Sequence, residues 1–212
     1  MEKKFSTKVM AEIALLAAFA VVLDLLQSAI CKLVPFWSFG GSVGIAMIPI
    51  FILAYRRGLV CGLLGGLIVG LLDMMDGVDI SPLASNGWLV FASVMLDYVL
   101  AWTVVGFAGL LSKKVKEAKT KKLMISYIIC GVIIGGLARL SMHFLSGMYM
   151  WENMQTVFNI QFENMPAWLY SLCYNASYIV PCIILCSIIC PILIYYQPKV
   201  LVLNYNIDKM EA

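Results

Sequence analysis

Long segments without a charged side chain restrict this chain to a lipid bilayer. The clearest runs from Asn164 to Pro198 and contains no Asp, Glu, Lys or Arg. A membrane-spanning helix needs about 20 mainly apolar residues. Of the 212 residues, 62% are hydrophobic and 13% are charged, and the mean hydropathy is +0.93, whereas soluble domains carry about 25% charged residues. This composition excludes a nucleic-acid-binding module and a typical cytosolic enzyme, and it indicates an integral membrane protein.

The apolar segments predict an all-α protein with six transmembrane helices in a single membrane domain over residues 1–212. We expect these helices at approximately 9–30, 43–55, 59–75, 88–111, 123–148 and 166–196. The outer loops are then expected at approximately 31–42, 76–87 and 149–165. The third helix is rich in glycine, a residue that lets membrane helices approach closely. These glycines are Gly62, Gly65, Gly66 and Gly70.

The basic residues predict the orientation of the six helices. With the N-terminus in the cytoplasm, the cytoplasmic segments hold all of the 15 Lys and Arg residues except Lys32 and Arg139. Membrane proteins concentrate Lys and Arg in their cytoplasmic segments. We therefore expect a multi-pass protein of the cell membrane with both termini in the cytoplasm. The lysine-rich segment 113–122 is interpreted as a solvated connection.

A charged side chain inside a bilayer is costly and suggests a function. The predicted helices carry several ionisable side chains toward their outer ends. At 1.5 Å per residue, Asp97 lies about 13 Å and His143 about 8 Å below the outer ends of their helices. Arg139 lies one turn deeper on the face of His143, and Tyr170 and Asn175 enter from the last helix. These five side chains predict an outward-facing pocket. Two alternatives stay open: a structural Asp97–Arg139 ion pair, and hydrogen bonds between helices from the histidine and the amide.

Aromatic rings crowd the predicted outer loops beside carboxylates. An interfacial belt accounts for about half of such rings, and Trp102 and Tyr195 are belt candidates on the inner side. Ring faces next to carboxylates suit a flat cationic ligand. The outer rings are Phe36, Trp37, Phe39, Trp88, Tyr149, Trp151, Phe158, Phe162 and Trp168.

No motif predicts a metal, a cofactor or a catalytic centre. Cys182, Cys186 and Cys190 are spaced by four in an apolar helix, where cysteine acts as a small apolar residue. An alternative from another class is a membrane hydrolase with Asp97 or His143 as its base, but the chain has no HExxH motif and contains a single histidine. A stand-alone proton-coupled carrier is a further alternative, and we find no internal repeat of the kind expected for it.

Several short motifs occur in order along nearly the whole chain. They are Gly40-Gly41-Ser42 with Met47-Ile48-Pro49-Ile50, Tyr55-Arg56-Arg57-Gly58-Leu59, Gly65-Gly66-Leu67-Ile68 with Gly70, Leu96-Asp97-Tyr98, Arg139 with His143-Phe144 and Gly147, Trp151, and Tyr170-Ser171-Leu172 with Asn175. Together these motifs resemble those of the thiamine-specific S components (the ThiT family) of energy-coupling factor transporters. The resemblance implies a six-helix S-component fold with a thiamine pocket near the outer face.

The resemblance also implies which residues bind thiamine. Rings such as Trp151 are expected to stack on the ligand, while Asp97, Tyr170 and Asn175 contact the aminopyrimidine and His143 lies close by. The family has a tryptophan in its first outer loop, and Trp37 is our candidate for it. Alternatives of the same class are an S component for riboflavin, biotin or a thiamine precursor, although a buried acid does not favour a biotin carboxylate. The expected binding residues are Trp37, Asp97, Tyr98, Arg139, His143, Trp151, Tyr170 and Asn175.

The family further implies partners that supply energy. The chain has no GxxxxGK[ST] phosphate-binding loop, so it is not expected to be an enzyme. A membrane coupling subunit (the T component) and two ATP-binding-cassette ATPases are the expected partners, in a bacterial cell membrane. Ala14 and Ala18 form a small-xxx-small pattern that resembles the family's docking motif for the coupling subunit, although such patterns also serve packing within a protein.

Overall fold

A computed structural model describes residues 6–33, 41–78, 86–157 and 166–202, with the backbone alone at 76 and 149–157. All regular structure in these ranges is helical. Four of the helices in the described ranges are long and apolar enough to cross a membrane, and α2 and α3 are shorter. In chain order the helices are α1 (Thr7–Lys32), α2 (Ile48–Arg57), α3 (Leu59–Asp73), α4 (Gly87–Lys116), α5 (Lys121–Val157), α6 (Ala167–Tyr196) and α7 (Pro198–Leu201).

The second predicted helix begins later than expected. Residues 41–47 form an irregular segment that ends in a turn, and α2 starts at Ile48 with Pro49 in its first turn, where a missing N–H costs nothing. The helix ends at Arg57 and is capped by Gly58, whose positive φ of +91° favours glycine. With 10 residues, α2 is about 15 Å long. It is therefore shorter than the hydrocarbon core of a bilayer.

Helix α4 is irregular. Asn86 caps its first turn, because its side-chain oxygen accepts from the backbone N–H groups of Trp88 and Leu89 at 3.1 and 3.3 Å. The helix then passes through a π-helical turn at Met95–Leu100 and a 3₁₀ stretch at Val104–Leu111. It ends at Lys116, five residues beyond the predicted end at 111. Charged residues therefore extend the helix past its apolar part.

The prediction of a loop over 149–165 was wrong for its first part, because α5 continues as helix to Val157. The added stretch contains neither glycine nor proline, so nothing in it stops a helix. Hydropathy marked where the membrane-spanning part ends, not where the helix ends. By contrast, α3 stops at Asp73 and is followed by a 3₁₀ turn at Met74–Asp76.

The backbones of α3 and α4 touch through glycine, as predicted for the glycine-rich helix. A Cβ on Gly66 would lie 2.3 Å from the carbonyl oxygen of Trp102, and one on Gly70 would lie 2.5 Å from that of Tyr98. On the facing helix, a Cβ on Gly106 would lie 2.3 Å from the backbone nitrogen of Leu63. The contact places the middle of α4 deep inside the bundle.

One end of the bundle is held by ion pairs. Glu12 of α1 pairs with Arg56 and with Arg57, whose Nη2 lies 2.6 Å from the carboxylate. Arg56 also donates to the carbonyl oxygen of Val200 at 2.8 Å, and Lys116 donates to the carbonyl of Arg56 at 3.0 Å. We call this the lysine-rich end, and the other the opposite end.

Candidate functional site

Asp97 lies on the π-helical turn of α4, toward the opposite end of the bundle. Such turns are rare and occur frequently at functional sites. The carboxylate is anchored by hydroxyl groups from two helices: Ser93 donates to Oδ2 at 3.4 Å and Ser146 donates to the same oxygen at 2.5 Å. The two hydroxyls are 3.0 Å apart. The carboxylate is therefore fixed in position by groups from α4 and α5.

His143 of α5 occupies the other oxygen of Asp97, with Nδ1 2.9 Å from Oδ1. Its second ring nitrogen, Nε2, accepts from Nε of Arg139 at 3.4 Å. Since Arg139 can only donate, this arrangement assigns the proton of a neutral ring to Nδ1, which donates to the carboxylate. Asp97 is 22% exposed and His143 is 11% exposed. A ligand can therefore still reach the carboxylate.

Arg139 does not form the direct ion pair with Asp97 that was one alternative. Within the described ranges, the basic side chain that contacts Asp97 is His143, through a hydrogen bond. Arg139 lies instead over the ring of Trp102 at 3.8 Å from its centre. Trp102 is fully buried and its Nε1 donates to Asp73 at 2.8 Å. Its predicted place in an interfacial belt was wrong, because the glycine contact of α3 and α4 holds this part of α4 inside.

Asn175 of α6 is buried and ties α6 to α5. Its Nδ2 donates to the carbonyl of His143 at 3.1 Å and to that of Ser171 at 2.9 Å. Its Oδ1 accepts from the hydroxyl of Tyr178 at 2.6 Å. The close contact requires Gly147, where a Cβ would lie 2.3 Å from Ser171 Oγ. The structure therefore brings Asn175 to His143, and protein atoms take both of its amide donors.

Three tyrosines on one face of α6 form a ladder toward this cluster. Tyr170 and Tyr174 stack with ring centres 5.8 Å apart, and Tyr174 meets the edge of Tyr178 at 5.9 Å. Tyr178 in turn meets His143 edge to face at 5.9 Å. Tyr170 thus connects with the site through two further rings. Its spacing of four residues from Tyr174, repeated to Tyr178, was a sequence signal that pointed to a shared helix face.

The remaining predicted binding residues are placed as follows. Tyr98 follows Asp97 on the π-helical turn and is half-buried, and its carbonyl oxygen lies next to Gly70 of α3. Trp37 lies outside the described residues, and Trp151 lies on α5 with its side chain outside them. Sequence reasoning missed Ser93 and Ser146, which are spaced by four and three residues from Asp97 and His143 and so share their helix faces.

A cavity of about 300 Å³ lies beside this cluster rather than within it, between α1 and the end of α3. Asp24 and Asp73 contribute carboxyl groups to its wall. Asp73 is connected with the cluster, because it accepts from Trp102, whose ring contacts Arg139. Among the described residues, no group of three or more His, Cys, Asp or Glu side chains is placed to hold a metal ion. The arrangement suits an organic ligand with a cationic or amine-bearing ring.

The face of α1 with the small-residue pattern points away from the bundle. Ala14 and Ala18 are exposed, whereas Ala17 and Ala20 are buried against the other helices. The two alanines of the pattern are therefore not used for packing within the described part of the chain.

Comparisons with known proteins agree on one family. A family model described as thiamine transporter protein (Thia_YuaJ) matches residues 10–202. The thiamine transporter ThiT of Bacillus subtilis is 33% identical over 193 residues, which cover 90% of this chain and 92% of that protein. The protein of the same name from Lacticaseibacillus paracasei is 29% identical over 177 residues, covering 80% and 78%. A solved structure of ThiT from Listeria monocytogenes matches with a TM-score of 0.72 and 27% identity, over 92% of this chain and 97% of that one.

Proposed function

This chain belongs to the family of thiamine transporter proteins, as its motifs predicted, and on that premise we propose that it captures thiamine for import. It is an all-α, multi-pass bacterial membrane protein. In the proposal it is the substrate-binding S component of an energy-coupling factor importer and not an enzyme. Both termini lie in the cytoplasm, which puts the Asp97 cluster near the outer face.

The observation that carries the proposal is the fixed carboxylate of Asp97 within a cluster of rings. Thiamine joins an aminopyrimidine to a cationic thiazolium. A carboxylate accepts from a ring amine and attracts a cation, and ring faces attract cations as well. Because Ser146 and His143 already hold Asp97 in place, the ligand does not have to order the carboxylate. Such preorganisation lowers the cost of binding.

The other predicted residues complete this proposed site. Trp151 stacks on the ligand, with Trp37 of the first outer loop as a second ring. Tyr98 and Tyr170 contribute further contacts to the ligand, and Asn175 joins the backbone of α5 at His143 to α6. Arg139 orients the histidine from behind. A guanidinium so close to the cluster also makes thiamine phosphates a ligand worth testing.

The proposed importer needs partners, because this chain has no phosphate-binding loop for ATP. We assign energy supply to two ATP-binding-cassette ATPases and a membrane coupling subunit. The exposure of Ala14 and Ala18 supports α1 as the docking helix. Small residues let a partner helix approach its backbone closely.

The experiment that tests the function is a titration of the purified protein in detergent, followed by tryptophan fluorescence and by calorimetry. Thiamine is expected to give a saturable signal at submicromolar concentration, whereas riboflavin and biotin give none. Thiamine monophosphate and the isolated aminopyrimidine are titrated in parallel to define the ligand class. A folded sample that responds to riboflavin or biotin, or that does not respond to thiamine, would overturn the proposal.

A further inference from the structure

A buried glutamine joins α1 to the segment 41–47. Gln27 is only 9% exposed, although it lies in a membrane-spanning helix. Its Nε2 donates to Asp24 Oδ1 and to Ser42 Oγ, both at 2.9 Å, and its Oε1 accepts from the N–H of Ala46 at 3.2 Å. A polar side chain in an apolar interior needs such partners. The segment 41–47 supplies two of the three.

The segment is shaped around this side chain. A Cβ on Gly44 would lie 2.0 Å from Oε1 of Gln27 and 2.6 Å from its Cδ. Only a glycine therefore leaves room for the amide in its observed position. The contact therefore depends on both residues, because the amide of Gln27 occupies the space that a side chain at residue 44 would fill.

The other side of the same segment rests on α6. Gly44 N–H donates to Sγ of Cys182 at 3.3 Å, and the thiol donates to the carbonyl of Ser42 at 3.4 Å. Gly41, with a φ of +69°, lies so close to Tyr178 that a Cβ would be 2.6 Å from the ring. That ring contacts His143, and its hydroxyl donates to Asn175. The segment thus bridges Gln27 and the candidate site.

We infer that Gln27 is a positioning residue for ligand binding, which holds the segment 41–47 against the ring of Tyr178. The inference rests on the proposed function, because the site it positions is the proposed thiamine site. When the segment 41–47 is released from Gln27, it also adopts positions in which Gly41 no longer packs against the ring of Tyr178. The apparent affinity then falls in proportion to the fraction of molecules that are competent to bind.

The main test is Gln27→Met, which keeps the length of the side chain and removes its donors and its acceptor. We expect a rise of about tenfold in the Kd for thiamine, corresponding to a competent fraction of roughly one tenth. We also expect faster hydrogen exchange at the amides of Gly44 and Ala46 without thiamine, and wild-type protection with it. Gln197→Met, at an exposed position at the lysine-rich end, is the matched control.

A double-mutant cycle tests the contact itself. Gly44→Ala displaces the amide of Gln27 and is expected to raise the Kd as Gln27→Ala does. The double variant is expected to be no worse than either single variant, since neighbours in contact are not additive. Gly87→Ala, where a Cβ meets nothing within 4 Å, is the control. If Gln27→Met does not fold, Ser42→Ala removes a single hydrogen bond and is expected to raise the Kd less.

The outcomes separate the inference from the function it rests on. Wild-type protein that does not bind thiamine overturns the proposed function. Wild-type protein that binds, with Kd and exchange unchanged in the Gln27 and Gly44 variants, overturns the inference alone. A lower melting temperature with an unchanged Kd also overturns it, because a purely structural role predicts that result. Coupled changes in Kd and exchange support it.

Discussion

Arg139 lies over the ring of Trp102, with its guanidinium carbon 3.8 Å from the ring centre. The indole also donates to Asp73 at 2.8 Å, so one buried side chain connects a cation on α5 with a carboxyl group on α3. A cation–π contact away from water is worth about 2 kcal/mol. The ring face of Trp102 therefore helps to stabilise the guanidinium that lies next to His143.

Trp102→Phe is expected to lower stability without unfolding the protein. The ring face under Arg139 is kept, but Asp73 loses a buried donor, and such a loss costs about 1–3 kcal/mol. The measurement is the midpoint of thermal unfolding in detergent. Trp88→Phe is the control, because Trp88 is 72% exposed and its loss is expected to change little. Equal midpoints for the two variants would show that the bond to Asp73 does not stabilise the fold.

Asp97→Asn is expected to weaken thiamine binding by roughly 10- to 100-fold, the range for losing a hydrogen bond to a charged group. The amide oxygen can still accept from His143, so the fold is expected to persist while the charge that faces the ligand is gone. Calorimetric titration measures the Kd. Glu117→Gln removes a carboxylate from an exposed pair with Lys113 and is expected to bind as wild type. Wild-type affinity in Asp97→Asn would remove this carboxylate from the site.

The polar cluster could be predicted in part from sequence because depth along a helix follows from residue number. Asp97 and His143 were expected at similar depths on neighbouring helices, and they lie 2.9 Å apart. The hydrogen bond from Ser146 to Asp97 could not be predicted in this way, because it depends on the rotation of α4 relative to α5. The π-helical turn at Met95–Leu100 changes that rotation. No pattern of apolar residues signals such a turn.

The burial of Trp102 was predicted wrongly for a related reason. A tryptophan near the end of an apolar segment is equally compatible with an interfacial belt and with a helix contact. The position of Trp102 depends on which face of α4 packs against Gly66 and Gly70. The sequence of α4 alone does not determine that face. Likewise, the sequence does not single out Tyr178, whose hydroxyl donates to Asn175 on the preceding turn.

Ala14→Trp is expected to leave thiamine binding unchanged and to abolish uptake by cells that contain the coupling subunit and the ATPases. The indole would occupy the exposed face on which a partner helix is proposed to pack. Leu15→Trp is the matched control, since Leu15 is 70% exposed on the neighbouring face and already carries a large side chain. Radiolabelled thiamine uptake and Kd are measured for both. Normal uptake by Ala14→Trp would place the docking surface elsewhere.

Gly66→Ala is expected to destabilise the protein although alanine favours helix formation. The new methyl group would lie 2.3 Å from the carbonyl oxygen of Trp102, and a backbone atom cannot rotate away as a flexible side chain can. Overpacking of this kind costs about 1–3 kcal/mol, which exceeds the helical gain of up to about 1 kcal/mol. Gly87→Ala, with open space around its Cβ, is expected to cost nothing. The measurement is the midpoint of thermal unfolding for both variants. A midpoint of Gly66→Ala at or above that of Gly87→Ala would contradict the close backbone contact between α3 and α4.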